Sequence, residues 1–396
     1  MSDQHLEQSE RVSRARERQR RRRERKQQSG QTIAPATRRV SRQVQPARGR
    51  ELPQIDRRIL QSALLLVGGG LFMVVLIIGV RLFKNDPPTV QPNALWLGTD
   101  WTYGTLEAEA LDDLTDRIID NEIGTVYARV SELNYDGTWT GRPDGSNRFA
   151  EVQDDVIAFV ERFRTTALSR NLYGTVHVRV DIGEDDGYRL DNETVQQLIA
   201  DFSTRVVTTL GFDGVLLVIE PVWNNDENFL NVLRQVRQAI GSDALLGVAV
   251  PPDWTPQEDG VPVTSLIAPG TIWDREYKQR VALVGTDHIV LQTYNSYLTD
   301  EADYSAWVAY QVRTYAEAIG DLGTSTRVLV GVPTYESILP AHDERIENIS
   351  AAIVGVVRGL EDAGEMRSAI QGLALYAEWD TDEIEWEQLR SNWVNR

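Results

Sequence analysis

Residues 212–220 read FDGVLLVIE, residues 227–240 read ENFLNVLRQVRQAI, and residues 244–250 read ALLGVAV. A short β-rich apolar run, an amphipathic stretch opened by Asp226-Glu227, and a second apolar run make one strand–helix–strand unit. The same alternation extends in both directions. Further strand-like runs are ALWLGTD (94–100), TVYARV (125–130), TVHVRVDI (175–182), HIVLQTY (288–294), RVLVGVP (327–333) and QGLALYA (371–377). Between them lie helical patterns such as LEAEALDDLTDRIIDN, DDVIAFVERFRTTALS and ETVQQLIADFSTRVVTTL. Eight such units in about 300 residues predict a (β/α)8 TIM barrel over residues 94–396. A doubly wound open sheet fits less well: it needs fewer strands, and no glycine-rich phosphate fingerprint follows the first one.

Upstream of the barrel the character changes. Residues 59–80 (ILQSALLLVGGGLFMVVLIIGV) carry no charge and are flanked by Arg57-Arg58 and by Arg81 and Lys84. A helix needs roughly 20 apolar residues to cross the hydrocarbon core, so a transmembrane helix is expected over 59–83. A cleaved signal peptide has a shorter apolar region, about 7–15 residues long. Residues 1–58 hold 17 Lys/Arg against 7 Asp/Glu, a balance of +10, whereas the remainder holds 24 basic and 52 acidic residues, −28. The formal net charge of −18 thus conceals two opposite regions. The basic flank predicts a disordered tail in the cytoplasm and an extracytoplasmic C-terminal domain, in a single-pass protein of the cell membrane. The Pro-rich stretch 84–93 reads as a short linker. Tail residues 10–50 contain no aromatic residue to stack on a base, so no specific nucleic-acid binding is expected, although anionic lipid head groups suit the tail. With no cysteine, disulfides, thiolate metal sites and a cysteine nucleophile are excluded. Four scattered histidines give no metal-ligand spacing, and no cofactor is expected.

In a (β/α)8 barrel, chemistry sits at the C-terminal strand ends. Here these ends read Asp100-Trp101, Ser131-Glu132, Asp181, Glu220-Pro221, Asp253-Trp254, Tyr294-Asn295, Tyr335-Glu336 and Glu378-Trp379, and carboxylates beside aromatics recur among them. Aromatic rings stack on sugar faces and carboxylates bind hydroxyls or move protons, which is the lining expected of a carbohydrate cleft. Period-2 alternation places Leu216, Val218 and Glu220 on one inward face. It likewise turns Tyr127 and Arg129, then His177, Arg179 and Asp181, and then His288, Val290, Gln292 and Tyr294 inward. Buried charges need partners, so Arg129 and Arg179 are expected to pair with acids such as Asp181 or Glu220, which would lower the pKa of Glu220. A purely structural ion pair remains the alternative role for Glu220.

The stretch Phe212-Asp213-Gly214-Val215-Leu216-Leu217-Val218-Ile219-Glu220 resembles the fourth-strand signature of family 18 glycoside hydrolases, Phe-Asp-Gly-x-Asp-x-Asp-x-Glu. Gln292-Thr293-Tyr294-Asn295 resembles that family's Met-x-Tyr-Asp, and Gly331-Val332-Pro333-Thr334-Tyr335 its Gly-hydrophobic-Pro-x-Tyr. Gly372-Leu373-Ala374-Leu375-Tyr376 falls where the family has its eighth strand and an inward Trp. The resemblance implies a chitinase-like barrel with Glu220 as general acid. It departs at Leu216 and Val218, which replace the two inner acids. The acid two residues before the Glu holds the substrate acetamido group in chitinase-type catalysis, and Val218 cannot do so.

A two-carboxylate mechanism fits the remaining acids. It requires carboxyl groups about 5–5.5 Å apart for retention or about 6.5–9.5 Å for inversion. Glu220 with Glu336 occupies the strand-four and strand-seven positions at which many retaining (β/α)8 glycosidases resemble this chain. Tyr294 would orient the nucleophile, and Asp253 or Glu378 could replace Glu336. Asp181, Arg179, Trp223, Asp253, Trp254, Gln292, Asn295, Tyr335, Tyr376, Glu378 and Trp379 are the expected substrate-binding residues. The sequence therefore reads as a membrane-anchored glycosidase-like protein acting on polysaccharide. The alternative is a non-catalytic glycan-binding or envelope-scaffold barrel.

Overall fold

The computed structural model describes residues 92–396 apart from 105–107, 135–136, 143–146, 167–169, 181–189, 254–255, 257, 259, 264–271, 337 and 340. The expected tail (1–58), span (59–83) and most of the linker (84–93) lie outside the described residues, as do Asp181 and Trp254. Among the described residues, no helix is long and apolar enough to cross a membrane.

Eight parallel strands close into a barrel: β1 (Asn93–Leu97), β2 (Ile123–Glu132), β3 (Asn171–Arg179), β4 (Gly214–Glu220), β5 (Leu245–Val250), β6 (His288–Gln292), β7 (Arg327–Pro333) and β10 (Ile370–Tyr376). They pair in the order β1-β10-β7-β6-β5-β4-β3-β2. A small antiparallel hairpin, β8 (Ile338–Leu339) and β9 (His342–Asp343), follows β7. The helices are α1 (Thr99–Tyr103), α2 (Ala108–Asp120), α3 (Phe149–Thr165), α4 (Glu193–Thr208), α5 (Glu227–Ile240), α6 (Arg275–Leu283), α7 (Glu301–Gly320), α8 (Ile349–Ala363) and α9 (Glu383–Leu389). Alternation of strands and helices around a closed parallel sheet is the (β/α)8 TIM barrel.

Short polar side chains start the helices. Asn192, Asp226, Asp274, Asp300, Asn348 and Asp382 each accept a backbone N–H at the entry to α4, α5, α6, α7, α8 and α9. Each cap satisfies donors that the first turn leaves open. Two further acids fasten the lower rim. Asp213, just before β4, accepts from Leu172 N at 2.8 Å and from Arg164 at 2.7 Å. Asp287, before β6, accepts from Leu246 N at 2.8 Å and from Arg237 at 2.6 Å. The Asp of the Phe-Asp-Gly signature is therefore a register clamp between strands.

Several strand boundaries differ from expectation, most of all those of the first and third strands. The first strand was expected to reach Asp100 but ends at Leu97, because the chain turns at Gly98 into α1. The third was expected at 175–182 but starts at Asn171, where the Asp213 clamp and pairing with Thr125 hold it in the sheet.

The apolar side chains divide into two layers. Ala94, Trp96, Tyr127, Tyr173, Leu216, Val218, Ala249, Val290, Leu329 and Ala374 fill the barrel interior. Val176, Val178 and Val180 join the larger layer between sheet and helices, as alternation requires. Complete burial of a side chain such as Leu216 contributes about 1.5–3 kcal/mol. Outside the sheet, α8 lies close on α7 because Gly355 and Gly359 face it. A Cβ at Gly359 would stand 2.6 Å from the Ala309 carbonyl oxygen and 2.7 Å from Val312 Cβ.

Candidate functional site

The interior column of side chains leads upward to the mouth. At its base, Tyr173 stacks on His288 (centroids 5.2 Å apart), and Tyr127 Oη lies 3.3 Å from His288 Nδ1. Burial brings the His288 imidazole down to about 4, against the opposing charge of Asp287. Tyr127 meets Trp96, and Trp96 meets Tyr376 at 5.5 Å. Tyr376, the last residue of β10, then stacks on Tyr294 at 5.2 Å and 18° and meets Tyr335 and Trp379 edge-on. Trp379 is 45% exposed, so an aromatic path runs from the barrel core to an open rim.

Glu220 ends β4 among these rings, directly above Val218 and Leu216. Its side chain reaches solvent at the mouth, yet protein packs around the carboxyl, and this poor hydration raises its pKa. A hydrogen bond with the Gln292 side chain acts in the opposite direction and is the smaller effect. The expected lowering by arginine is therefore corrected: burial dominates, because Arg129 is taken by Glu132 at 2.6 Å on its own strand. Arg179 stands beside Glu220 in the β3–β4 register, on the exposed end of β3. His177 below it is held well under the usual imidazole range by burial and then by the charge of Arg129.

Gln292 also bonds Tyr294. The phenol of Tyr294 is raised first by burial and then by its neighbours Tyr376 and Glu220, so it remains neutral. Tyr335 Oη donates to Asn295 Oδ1 at 2.7 Å. Glu220, Gln292, Tyr294, Asn295, Tyr335, Tyr376 and Trp379 thus come together at the ends of β4, β6, β7 and β10. Trp223 is half-buried in the turn after β4, beside Asn224 and Asn225, which tie that turn to Asp274.

The acids considered for the second carboxylate separate sharply. Asp253 is 1% exposed and accepts from the Lys278 ammonium at 2.7 Å, while Gln311 binds its backbone. Glu378 accepts from Trp101 Nε1 at 2.8 Å and lies 3.7 Å from Arg117. Both expected substrate contacts therefore belong to structural pairs. Glu336 is exposed on the loop leaving β7, and its charge is felt by Glu385 of α9. Among the described residues, no group of three or more His, Asp or Glu is placed to hold a metal.

The sequence reading missed Trp96 and Tyr173, although period-2 alternation applied to β1 and to a longer β3 would have found both. It also missed His342 and Glu347, whose meeting depends on the fold of the hairpin after β7.

No family model matches the chain, and no curated protein matches it. Solved structures similar to it include a class V chitinase from Pseudomonas fluorescens Pf-5, 16% identical with a TM-score of 0.47 over 76% of this chain and 98% of that one. The spore cortex-lytic enzyme SleL of Bacillus megaterium QM B1551 is 12% identical, TM-score 0.48, over 77% and 75%. A chitinase from Chromobacterium violaceum ATCC 12472 is 13% identical, TM-score 0.47, over 77% and 99%. At this distance the likeness assigns no activity, and the chemistry of the mouth stands on the residues described above.

Proposed function

We propose that this chain is a membrane-anchored, extracytoplasmic glycoside-hydrolase-like barrel acting on polysaccharide, with Glu220 as its general acid. One observation carries the reading: a carboxyl group with a raised pKa, held by Gln292, opens into a mouth walled by Tyr294, Tyr335, Tyr376 and Trp379. A carboxyl group whose proton is held more tightly than usual can deliver it to a glycosidic oxygen, and flat rings beside it suit sugar faces. Val218 offers no charge to a substrate acetamido group, so the proposed chemistry uses two carboxylates. Asp253 and Glu378 are engaged elsewhere, which leaves Glu336 as the second. The acidic domain disfavours a polyanionic glycan, except where Arg179 offsets the field locally.

A non-catalytic, glycan-binding barrel is the second reading, favoured by the apolar Leu216 and Val218 beneath Glu220. A panel of glycans offered to wild type and Glu220→Gln separates the two. Loss of about 10²–10⁴-fold in turnover supports the acid role. Equal turnover by both proteins removes Glu220 from the mechanism, and binding without turnover favours the second reading.

The anchor rests on the uncharged stretch 59–80 and the basic flank before it. Deleting residues 1–83 should release a soluble domain from the membrane fraction; an insoluble product would count against that boundary.

A further inference from the structure

The loops leaving β6 and β7 meet over one buried carboxylate. Glu347, 2% exposed and two residues before α8, accepts from the backbone N–H of Asn295 at 2.8 Å and of Ser296 at 2.7 Å, and from Ser296 Oγ at 2.5 Å. Its Oε2 also lies 2.7 Å from His342 Nδ1. The other ring nitrogen of His342 lies 3.2 Å from the Tyr335 carbonyl oxygen, and the imidazole face stacks on the Tyr335 ring, centroids 4.0 Å apart. Tyr335 Oη then donates to Asn295 Oδ1. The contacts form a closed circuit: Glu347 holds Asn295, Asn295 holds Tyr335, Tyr335 rests on His342, and His342 returns to Glu347. Every member lies on a loop or the hairpin.

The same turn is held in an unfavourable backbone conformation. Asn295 and Tyr297 have φ of +57° and +58°, and Tyr297 N donates to Ala341 O at 3.0 Å. Left-handed geometry is unfavourable for a non-glycine residue and persists only where neighbours over-determine it. Tyr294, stacked on Tyr376 in the mouth, immediately precedes this turn.

We propose that Glu347 and His342 are positioning residues of the mouth: they hold Asn295 and Tyr335 as one hydrogen-bonded wall against which a glycan docks. This rests on the mouth being the glycan site. His342 faces the Glu347 carboxyl oxygen on one side and the Tyr335 carbonyl oxygen on the other, so its ring bridges the acid to the loop leaving β7. The Glu347 carboxyl takes three further donors, from Asn295 N, Ser296 N and Ser296 Oγ.

Hydrogen exchange on the full chain tests the brace without any glycan. In Glu347→Gln, peptides covering Tyr294–Leu298 and Ala341–Glu347 should exchange at least about tenfold faster while β4 and β6 keep their protection. Glu347→Asp, which retains the charge, should recover part of the protection. Unchanged exchange, or protection lost across the barrel together with the loops, overturns the proposal. Tryptophan-fluorescence titration with a soluble β-linked N-acetylglucosamine oligosaccharide should then show weaker binding by Glu347→Gln than by wild type, and equal binding would sink the docking role. Failure of wild type to bind this probe counts against the glycan reading, and the exchange results still decide the brace.

Discussion

Replacing Glu385 with Gln should make the protein more stable above neutral pH and leave it nearly unchanged in acid. Glu385 is the third residue of the α9 cap: its N–H donates to Asp382 Oδ1 at 2.9 Å and its Oε2 accepts from Asp382 N at 3.0 Å. Burial, and after it the charges of Asp382, Glu336 and Asp380, push its pKa from 4.5 to about 7, against the opposing Asp382 N–H bond. The folded state therefore binds this proton more tightly than the unfolded state. Stability from the group is fully present below about pH 4.5, falls as pH rises, and is level again above about pH 7. The full shift corresponds to about 3 kcal/mol. Because Glu385 is part-exposed, solvent screening cuts this to about 1 kcal/mol. Gln keeps an oxygen for the Asp382 N–H and carries no charge, so the variant should lack the decline. Urea unfolding followed by tryptophan fluorescence at about pH 5 and about pH 8 measures the difference. Parallel losses of stability by variant and wild type would show that Glu385 is not its source.

Two other changes probe the frame around the site. Asp253→Asn strands a buried ammonium and should cost about 3–5 kcal/mol, whereas adding Lys278→Met should recover most of it; the denaturation midpoints of the single and double variants decide. Gly359→Ala places a methyl group against the Ala309 carbonyl and should lower stability by about 1–3 kcal/mol, read as a drop in thermal midpoint.

The barrel was legible in the sequence because each strand–helix unit is local, and the inward face of β4 followed from alternation alone. GVLLVIE and RVLVGVP coincide with β4 and β7 residue for residue. The partners of the charges were not legible. Asp253 reads as a strand-end acid until α6 brings Lys278 beneath it from 25 residues away. Arg129 reads as a partner for a neighbouring strand, but Glu132 three residues on reaches it first. Glu347 lies in an unremarkable polar stretch, and only the hairpin after β7 brings it to Asn295, 52 residues earlier. Local patterns specify elements, whereas ion pairing depends on which loops the fold happens to bring together.

Closure of the barrel also governs when the chain can fold. β1 pairs with β10 through Ala94 and Ala374, and the Asn93 side chain accepts from Leu373 N across 280 positions. At about 5–20 residues per second, the ribosome takes roughly a quarter of a minute to a minute to supply that partner. Throughout that interval one edge of β1, with its apolar Leu95 and Leu97, has no strand to join. A nascent chain of this kind depends on being kept apart from its neighbours until its last strand emerges.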